Sequence, residues 1–170
     1  MKWIAISGSW RAANNKLKED VERVVRKIIQ AGNGIITGGA LGVDYFATQI
    51  ILSEGNSRKQ LKIYLPIKLN EMCRHYRKRA GEGVITEEQA DMICSQLKRV
   101  AEESPESIFD DTNYKEANVE SYYARNTTIV ETCDELYAFQ VNDSKGTQDA
   151  VDKARKLGKK VHIKKYTISS

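Results

Sequence analysis

The sequence predicts an α/β protein built on a doubly wound, mostly parallel sheet of about five strands. Short apolar runs alternate with amphipathic helices along most of the 170 residues. Three of the apolar runs end in loops that contain glycine together with serine or threonine, and no internal repeat interrupts the order. The length suits one domain, residues 1–170, with a substantial core.

The predicted strands are short and apolar. They cover residues 2–7, 34–37, 61–66, 135–139 and 160–163. The predicted helices carry apolar residues at intervals of three and four, the spacing of one buried face. They cover residues 14–31, 41–53, 87–103, 119–132 and 147–157. Gly32 and Gly158 end the first and the last of these helices, and Pro66 ends the third strand.

The alternation of strands and helices breaks between residues 67 and 118. Residues 67–85 are basic and irregular in pattern, and residues 104–118 resemble a polar loop. The connection between two parallel strands is normally shorter than this. We therefore expect an α-helical insert over roughly 67–118 that lies over a pocket.

Composition argues against several classes of protein. No apolar stretch reaches the ~18 residues that a membrane span needs, and the net charge of +4 does not by itself indicate nucleic-acid binding. Cys73, Cys94 and Cys133 form no CxxC pair, and the sequence leads directly into a strand, so we expect a cytoplasmic protein with reduced thiols. The two histidines are far apart in sequence. We expect neither a metal site nor a cofactor.

Three strand-to-helix loops carry the candidate site, at residues 4–9, 35–44 and 143–147. In an open α/β sheet such loops lie at the carboxyl ends of the strands and converge on one crevice. Backbone N–H groups at the start of a helix favour a phosphate there. The loops match neither the GxGxxG fingerprint of dinucleotide-binding proteins nor the P-loop, which weighs against NAD binding and ATP hydrolysis. The sequence predicts a nucleotide-type pocket.

The loop at residues 35–44 supplies the largest group of candidate residues. Gly38, Gly39 and Ala40 offer backbone donors, and Gly42 permits close approach of a ligand. Asp44 lies in the first turn of the following helix. It either stabilises the helix dipole or accepts hydrogen bonds from ribose hydroxyls, and both interpretations stay open.

Further candidates lie on the last two helices. Arg125 and Asn126 precede the fourth strand on a helix that is otherwise uncharged around them, and a guanidinium suits bidentate phosphate recognition, although it also occurs on ordinary surfaces. Gly146 and Thr147 begin the last helix. Asp149 either complements the dipole of that helix or faces the pocket. Four tyrosines are candidates for stacking on a base or for ordinary packing: Tyr64, Tyr76, Tyr122 and Tyr123.

Taken together, these residues resemble the motifs of the SLOG superfamily, which groups DNA-processing protein A (Smf) with the LONELY GUY proteins. The likeness is greatest to the YspA-like branch, and it covers most of the chain outside the insert. The motifs are Ser7-Gly8-Ser9-Trp10-Arg11, Thr37-Gly38-Gly39-Ala40-Leu41-Gly42-Val43-Asp44, Arg125-Asn126 and Gly146-Thr147. The resemblance implies a Rossmann-like domain that binds a nucleotide or a nucleotide-derived ligand. Gly8, Ser9 and Arg11 would then help to hold phosphates.

The resemblance also implies two alternative functions. LONELY GUY proteins cleave the N-glycosidic bond of nucleoside monophosphates, and in that case Arg125 and Asp149 would be the catalytic pair. The Pro-Gly-Gly of their motif is absent here, and Asp149 replaces the first glutamate. DNA-processing proteins bind single-stranded DNA, which the basic stretches at 74–79 and 145–165 favour and the acidic stretch at 82–120 disfavours. Members of the superfamily often form homo-oligomers.

Overall fold

A computed structural model describes residues 1–169 and shows a six-stranded sheet in which every strand is parallel to its neighbours. The strands are β1 (Trp3–Gly8), β2 (Gly34–Thr37), β3 (Leu61–Tyr64), β4 (Ile108–Phe109), β5 (Glu135–Val141) and β6 (Lys160–Tyr166). Their order across the sheet is β4-β3-β2-β1-β5-β6. The direction of winding reverses between β1 and β5, and such a switch point opens a crevice at the carboxyl ends of the strands. The α/β, doubly wound fold class is confirmed.

Seven helices cover the two faces of this sheet. They are α1 (Asn15–Gln30), α2 (Val43–Glu54), α3 (Ser57–Gln60), α4 (Leu69–Gly81), α5 (Glu87–Glu103), α6 (Val119–Thr132) and α7 (Lys145–Lys156). The helices α1, α2, α4 and α5 pack around a large apolar core on one face, to which Ile4 and Ile6 of β1 also contribute. On the other face, α6 and α7 pack over Ala5 and Leu136. Alternate residues of β1 therefore enter opposite cores, as the period of a strand requires.

The segment between β3 and α6 contains more regular structure than its sequence indicates. Residues 67–85, expected to be irregular, contain α4, which buries Met72 and Cys73 and carries many charges on its exposed side. Residues 104–118, expected to be a polar loop, contain the short edge strand β4, whose Ile108 pairs with Ile63. This strand raises the number from about five to six. Within residues 1–169, no helix is long and apolar enough to cross a membrane.

Contacts between residues that are distant in the sequence explain why the local pattern does not predict α4 and β4. The backbone N–H of Leu69 donates to Asp110 Oδ2 at 2.9 Å, so the first turn of α4 is capped by a residue 41 positions away. The N–H of Leu65 donates to the carbonyl of Phe109 at 2.9 Å, which extends the pairing of β3 with β4. Neither bond leaves a signature in the neighbouring sequence.

Candidate functional site

A cavity of about 850 Å³ lies at the carboxyl ends of β1, β2 and β5. Its walls come from the loops that follow these strands, from α6, from the first half of α7, and from α4. This volume falls within the range of about 300–1,000 Å³ that small-molecule sites occupy. The cavity thus coincides with the switch point of the sheet, where open α/β proteins bind their ligands.

The first loop packs tightly against the start of α2. A side chain at Gly8 would overlap Val43, and one at Gly42, whose φ is +72°, would overlap the carbonyl of Ser9. That carbonyl accepts a hydrogen bond from the N–H of Val43 at 3.2 Å. The Ser9 hydroxyl accepts from the N–H groups of Arg11 and Ala12, at 3.3 and 3.2 Å. The glycines therefore allow the two loops to meet.

The loop at residues 38–40 holds a carboxylate of its own chain. Asp44 Oδ2 accepts hydrogen bonds from the N–H of Gly38 at 3.0 Å and from the N–H of Ala40 at 3.2 Å. These are two of the backbone donors that the sequence assigns to a phosphate, so a phosphate could take them only by displacing Asp44. Gly39 has a φ of +67° and turns toward the core, where a side chain would overlap Leu65.

Asp44 is buried, with 7% of its surface exposed, and it also lines the cavity. Burial raises the pKa of its carboxyl group to about 6, against the attraction of Arg125 and the two backbone hydrogen bonds, which lower it. A carboxylate kept in such surroundings is a candidate functional group. Both interpretations from the sequence remain, because the side chain anchors its own loop and still faces the cavity.

Arg125 connects α6 to the glycine loop. Its Nη1 donates to the carbonyl of Gly38 at 2.6 Å, and its Nε donates to Asn126 Oδ1 at 3.3 Å. A side chain at Gly38 would overlap this guanidinium. The guanidinium also lies 5.5 Å from the centre of the Tyr122 ring. Among residues 1–169 it forms no ion pair within 4 Å with a carboxylate, so its charge is available to the cavity.

Asp149 faces α6 rather than the cavity. Its Oδ2 accepts hydrogen bonds from Asn126 Nδ2 at 3.1 Å and from Lys153 Nζ at 2.9 Å. Lys153 in turn donates to the carbonyl of Tyr123 at 2.8 Å. Asp149 does not line the cavity, whereas Asn126 does. The carboxylate therefore joins the two helices, and its catalytic role remains a prediction that this arrangement does not support.

The loop between β5 and α7 closes the opposite end of the cavity. Asn142 and Asp143 have positive φ, a conformation that these residue types tolerate in a tight turn. Ser144 then caps α7 by accepting from the N–H of Thr147 at 3.5 Å. Gly146 lines the cavity, and its carbonyl accepts from Asn126 Nδ2 at 3.3 Å.

The charged side chains in the cavity wall are mostly basic. Four cationic side chains line it, and Asp44 is the single carboxylate among its described lining residues. The cations are Arg11, Arg79, Arg125 and Lys145, of which Arg79 forms an ion pair at 2.9 Å with Glu82 outside the cavity lining. Burial, together with Arg79 and Lys78, lowers the pKa of His75, so this lining residue adds no charge at neutral pH. The excess of positive charge favours an anionic ligand.

Most of the predicted site residues lie together around this cavity. Ten of them line it: Gly8, Ser9, Arg11, Gly38, Ala40, Asp44, Arg125, Asn126, Gly146 and Thr147. Gly39, Gly42 and Asp149 do not. Tyr76, Tyr122 and Tyr123 also line the cavity, whereas Tyr64 stacks on Phe109 at the sheet edge, with ring centres 4.6 Å apart.

Three titratable lining residues were missed by the motifs. His75 and Arg79 lie on α4, and Lys145 begins α7. The basic cluster at residues 74–79 was the available signal, but a helix had to be placed there before one of its faces could be assigned to the cavity. Within residues 1–169, no cluster of three His, Cys, Asp or Glu side chains is placed to bind a metal.

Comparison with solved structures identifies the type of fold. The chain superposes on DNA processing protein A from Helicobacter pylori with a TM-score of 0.68 and 19% identity. That protein has a unique single-stranded DNA binding mode. The molybdenum cofactor binding protein from Rippkaea orientalis gives 0.62 and 18%. DNA processing protein A from Streptococcus pneumoniae gives 0.52 and 16%. The chain shares the fold of these proteins, which confirms the Rossmann-like fold that the resemblance to the SLOG superfamily implies.

The likeness covers nearly the whole chain but only part of each of the three proteins. The likeness covers 95%, 97% and 94% of the chain in the three comparisons. It spans 64% of the Helicobacter protein, 77% of the Rippkaea protein and 58% of the Streptococcus protein. No protein-family model and no curated protein sequence matches the chain.

Proposed function

We propose that the cavity binds a nucleotide or a nucleotide-derived ligand through its phosphate and its sugar. The observation that carries this proposal is the lining of the cavity, where four cationic side chains accompany a single carboxylate among the described residues. Aromatic rings of Tyr76 and Tyr122 line the same space and offer surfaces for a base. A cationic cavity with aromatic walls and one hydrogen-bond acceptor suits the three parts of a nucleotide.

The distribution of partners within the cavity suggests an orientation for the ligand. The N–H groups of Gly38 and Ala40 are already occupied by Asp44. Lys145 lies in the first turn of α7, is exposed, and forms no ion pair within the described residues. We therefore place the phosphate at residues 144–147, where the start of the helix adds to its attraction. The ribose hydroxyls then lie toward Asp44.

Arg125 lies between these two groups in our proposal. Its Nη1 is held by the carbonyl of Gly38 and its Nε by Asn126, so its orientation is fixed before a ligand arrives. A guanidinium held in this way loses little conformational entropy when it binds a phosphate. The side chain that the sequence singled out thus acts as a preorganised cation.

A matched pair of lysines on α7 tests the placement of the phosphate. Lys145→Ala removes a cation from the cavity, whereas Lys156→Ala removes an exposed lysine from the far end of the same helix. Losing one charge-assisted contact should weaken binding of a nucleoside monophosphate roughly tenfold. Calorimetric titration should show this loss for Lys145→Ala alone. Equal affinity for the two variants would contradict the placement.

Binding of single-stranded DNA is a second candidate function. It is favoured by the likeness to the Helicobacter protein and by Trp10, which lines the cavity while 38% of its surface stays exposed. Arg11 stacks on this ring at 4.6 Å, a pairing of cation and aromatic surface that suits an unpaired base. Fluorescence anisotropy with a labelled oligonucleotide tests it. Binding that weakens steeply with salt supports this function, and no change in anisotropy contradicts it.

A further inference from the structure

Two buried thiols face each other where α4 packs against α5, away from the cavity. Cys73 on α4 is 5% exposed and Cys94 on α5 is 1% exposed. Cys94 Sγ donates to the backbone carbonyl of Cys73 at 3.9 Å. Neither cysteine lines the cavity, and the proposed function uses neither.

A second contact shows that the two helices are aligned around this pair. Arg77 Nη1, one turn beyond Cys73, forms an ion pair with Asp91 Oδ1 at 2.8 Å, and Asp91 lies one turn before Cys94. The helices therefore run antiparallel, with position 73 opposite position 94 and position 77 opposite position 91. This alignment holds the two thiols side by side at a packed interface.

The surroundings of the pair favour a reactive thiolate. The hydrogen bond with Cys94 lowers the pKa of Cys73, burial opposes this, and Lys98 and Arg77 lower the pKa further, whereas the same hydrogen bond and burial raise the pKa of Cys94. A thiol with a lowered pKa beside a second thiol is the arrangement in which sulfenic acid formation is followed by a disulfide. Cys133, the third thiol, lies elsewhere, on the far face of the sheet.

We propose that Cys73 and Cys94 form a reversible disulfide that joins α4 to α5. The oxidant is hydrogen peroxide. The Cys73 thiolate attacks one peroxide oxygen, the O–O bond breaks, and with uptake of a proton the products are a sulfenic acid and water. The Cys94 thiol then attacks the sulfenic sulfur, the S–O bond breaks, and a second water leaves as the S–S bond forms. Two cysteines are oxidised by two electrons, and one peroxide is reduced.

This disulfide would fix one wall of the cavity. Tyr76 lies one turn from Cys73, and its hydroxyl donates to the carbonyl of Gly39 at 3.2 Å. His75 and Arg79 of the same helix line the cavity. Oxidation therefore ties the helix that carries these residues to α5, whatever ligand the cavity takes.

Peroxide treatment followed by thiol counting tests the proposal. The folded protein is exposed to hydrogen peroxide, the peroxide is removed by catalase, and the remaining thiols are alkylated under denaturing conditions. Mass spectrometry should find Cys73 joined to Cys94, with the mass reduced by two hydrogens, and dithiothreitol should restore both thiols. The oxidised protein should unfold about 5–10 °C higher than the reduced one, because the disulfide closes a loop of about 20 residues in the unfolded chain.

Two single variants identify the residues that react. Cys133→Ser should form the same disulfide as the unchanged protein. Cys94→Ser should form none, and dimedone should instead trap a sulfenic acid at Cys73. If Cys73 and Cys94 both remain alkylatable after peroxide treatment of the folded protein, the proposal is wrong. It is also wrong if Cys94→Ser loses its Cys73 thiol to a bond with Cys133.

Discussion

Replacing Asp44 with asparagine should make the protein more stable at neutral pH. Asparagine keeps an oxygen that can accept the N–H groups of Gly38 and Ala40, at 3.0 and 3.2 Å in the native loop, but it carries no charge. The native carboxylate is buried, and burial raises its pKa from 3.8 to about 6. The charged form is therefore the disfavoured one inside the protein.

The size of the effect follows from the pKa difference. At about 1.4 kcal/mol per pH unit, this difference corresponds to about 3 kcal/mol between the charged and neutral forms of Asp44. The side-chain amide of asparagine faces the Arg125 guanidinium without attraction, so we expect a gain of about 1–3 kcal/mol at pH ~8.

The pH dependence gives the sign of the effect independently. Because the pKa of Asp44 is higher in the folded than in the unfolded state, its contribution to stability is greatest below the unfolded pKa and is lost as the pH rises through about 6. Asp44→Asn has no group to titrate. The stability difference between the two proteins should therefore grow between pH ~4 and pH ~7 and then stay constant.

Asp20→Asn provides the matched control, since Asp20 is also a buried carboxylate but is fully paired. It accepts hydrogen bonds from Lys164 Nζ and Tyr166 Oη, both at 2.7 Å, and these contacts hold its pKa below the usual range. Its stabilisation is present above the unfolded pKa and is lost as the pH falls. Asp20→Asn should therefore destabilise the protein at pH ~8.

Urea unfolding at pH ~4.5 and pH ~8 measures both differences. The expected result is a gain for Asp44→Asn that is larger at pH ~8, and a loss for Asp20→Asn that is nearly the same at both pH values, because the stabilisation by Asp20 is lost only as the pH falls below ~4. Two results would contradict this prediction: an Asp44→Asn variant that is less stable than the native protein at pH ~8, or a stability difference between the two proteins that is the same at both pH values.

Three further substitutions test the contacts around the cavity. Gly38→Ala should displace the Arg125 guanidinium, lowering stability by about 1–3 kcal/mol in urea unfolding and weakening nucleotide binding in calorimetry; unchanged affinity would contradict the role of Arg125. Asp149→Asn should leave nucleotide affinity within about twofold while costing about 1 kcal/mol of stability through its contacts with Asn126 and Lys153, and lost affinity would return Asp149 to the site. Tyr76→Phe should cost about 1 kcal/mol by removing the hydrogen bond to the glycine loop, and unchanged urea unfolding would show that this bond contributes nothing.

The sequence predicted the fold class because strands and helices carry their periodicity locally. The strand at 34–37 and the helix at 119–132 appear with the predicted bounds. The helix α4 was missed because its charged residues outnumber the few apolar ones that form its buried stripe, Met72, Cys73, Tyr76 and Ala80. The strand β4 has only two residues and is defined by its pairing with β3, so no local sequence pattern could predict it.

The sequence predicted the location of the candidate site but not the hydrogen-bond partners of its residues. Glycine loops at strand ends converge by topology, so ten of the predicted residues line one cavity. Their individual partners depend on side-chain directions, which sequence spacing leaves open. Asp44 binds the N–H groups that were expected to hold a phosphate, and Asp149 turns toward α6. The first outcome depends on the rotamer of Asp44. The second depends on Asn126, which is 23 positions away from Asp149 in the sequence.

Native mass spectrometry with nucleoside monophosphates and their parent nucleosides would test the proposed binding function most directly. We expect at least one monophosphate to form a one-to-one complex with its base still attached, and the parent nucleoside, which lacks the phosphate, to form none. Two results would contradict the account: no complex with any nucleotide at millimolar concentration, or equal binding of the nucleoside, which would mean that the cationic lining of the cavity contributes nothing to recognition.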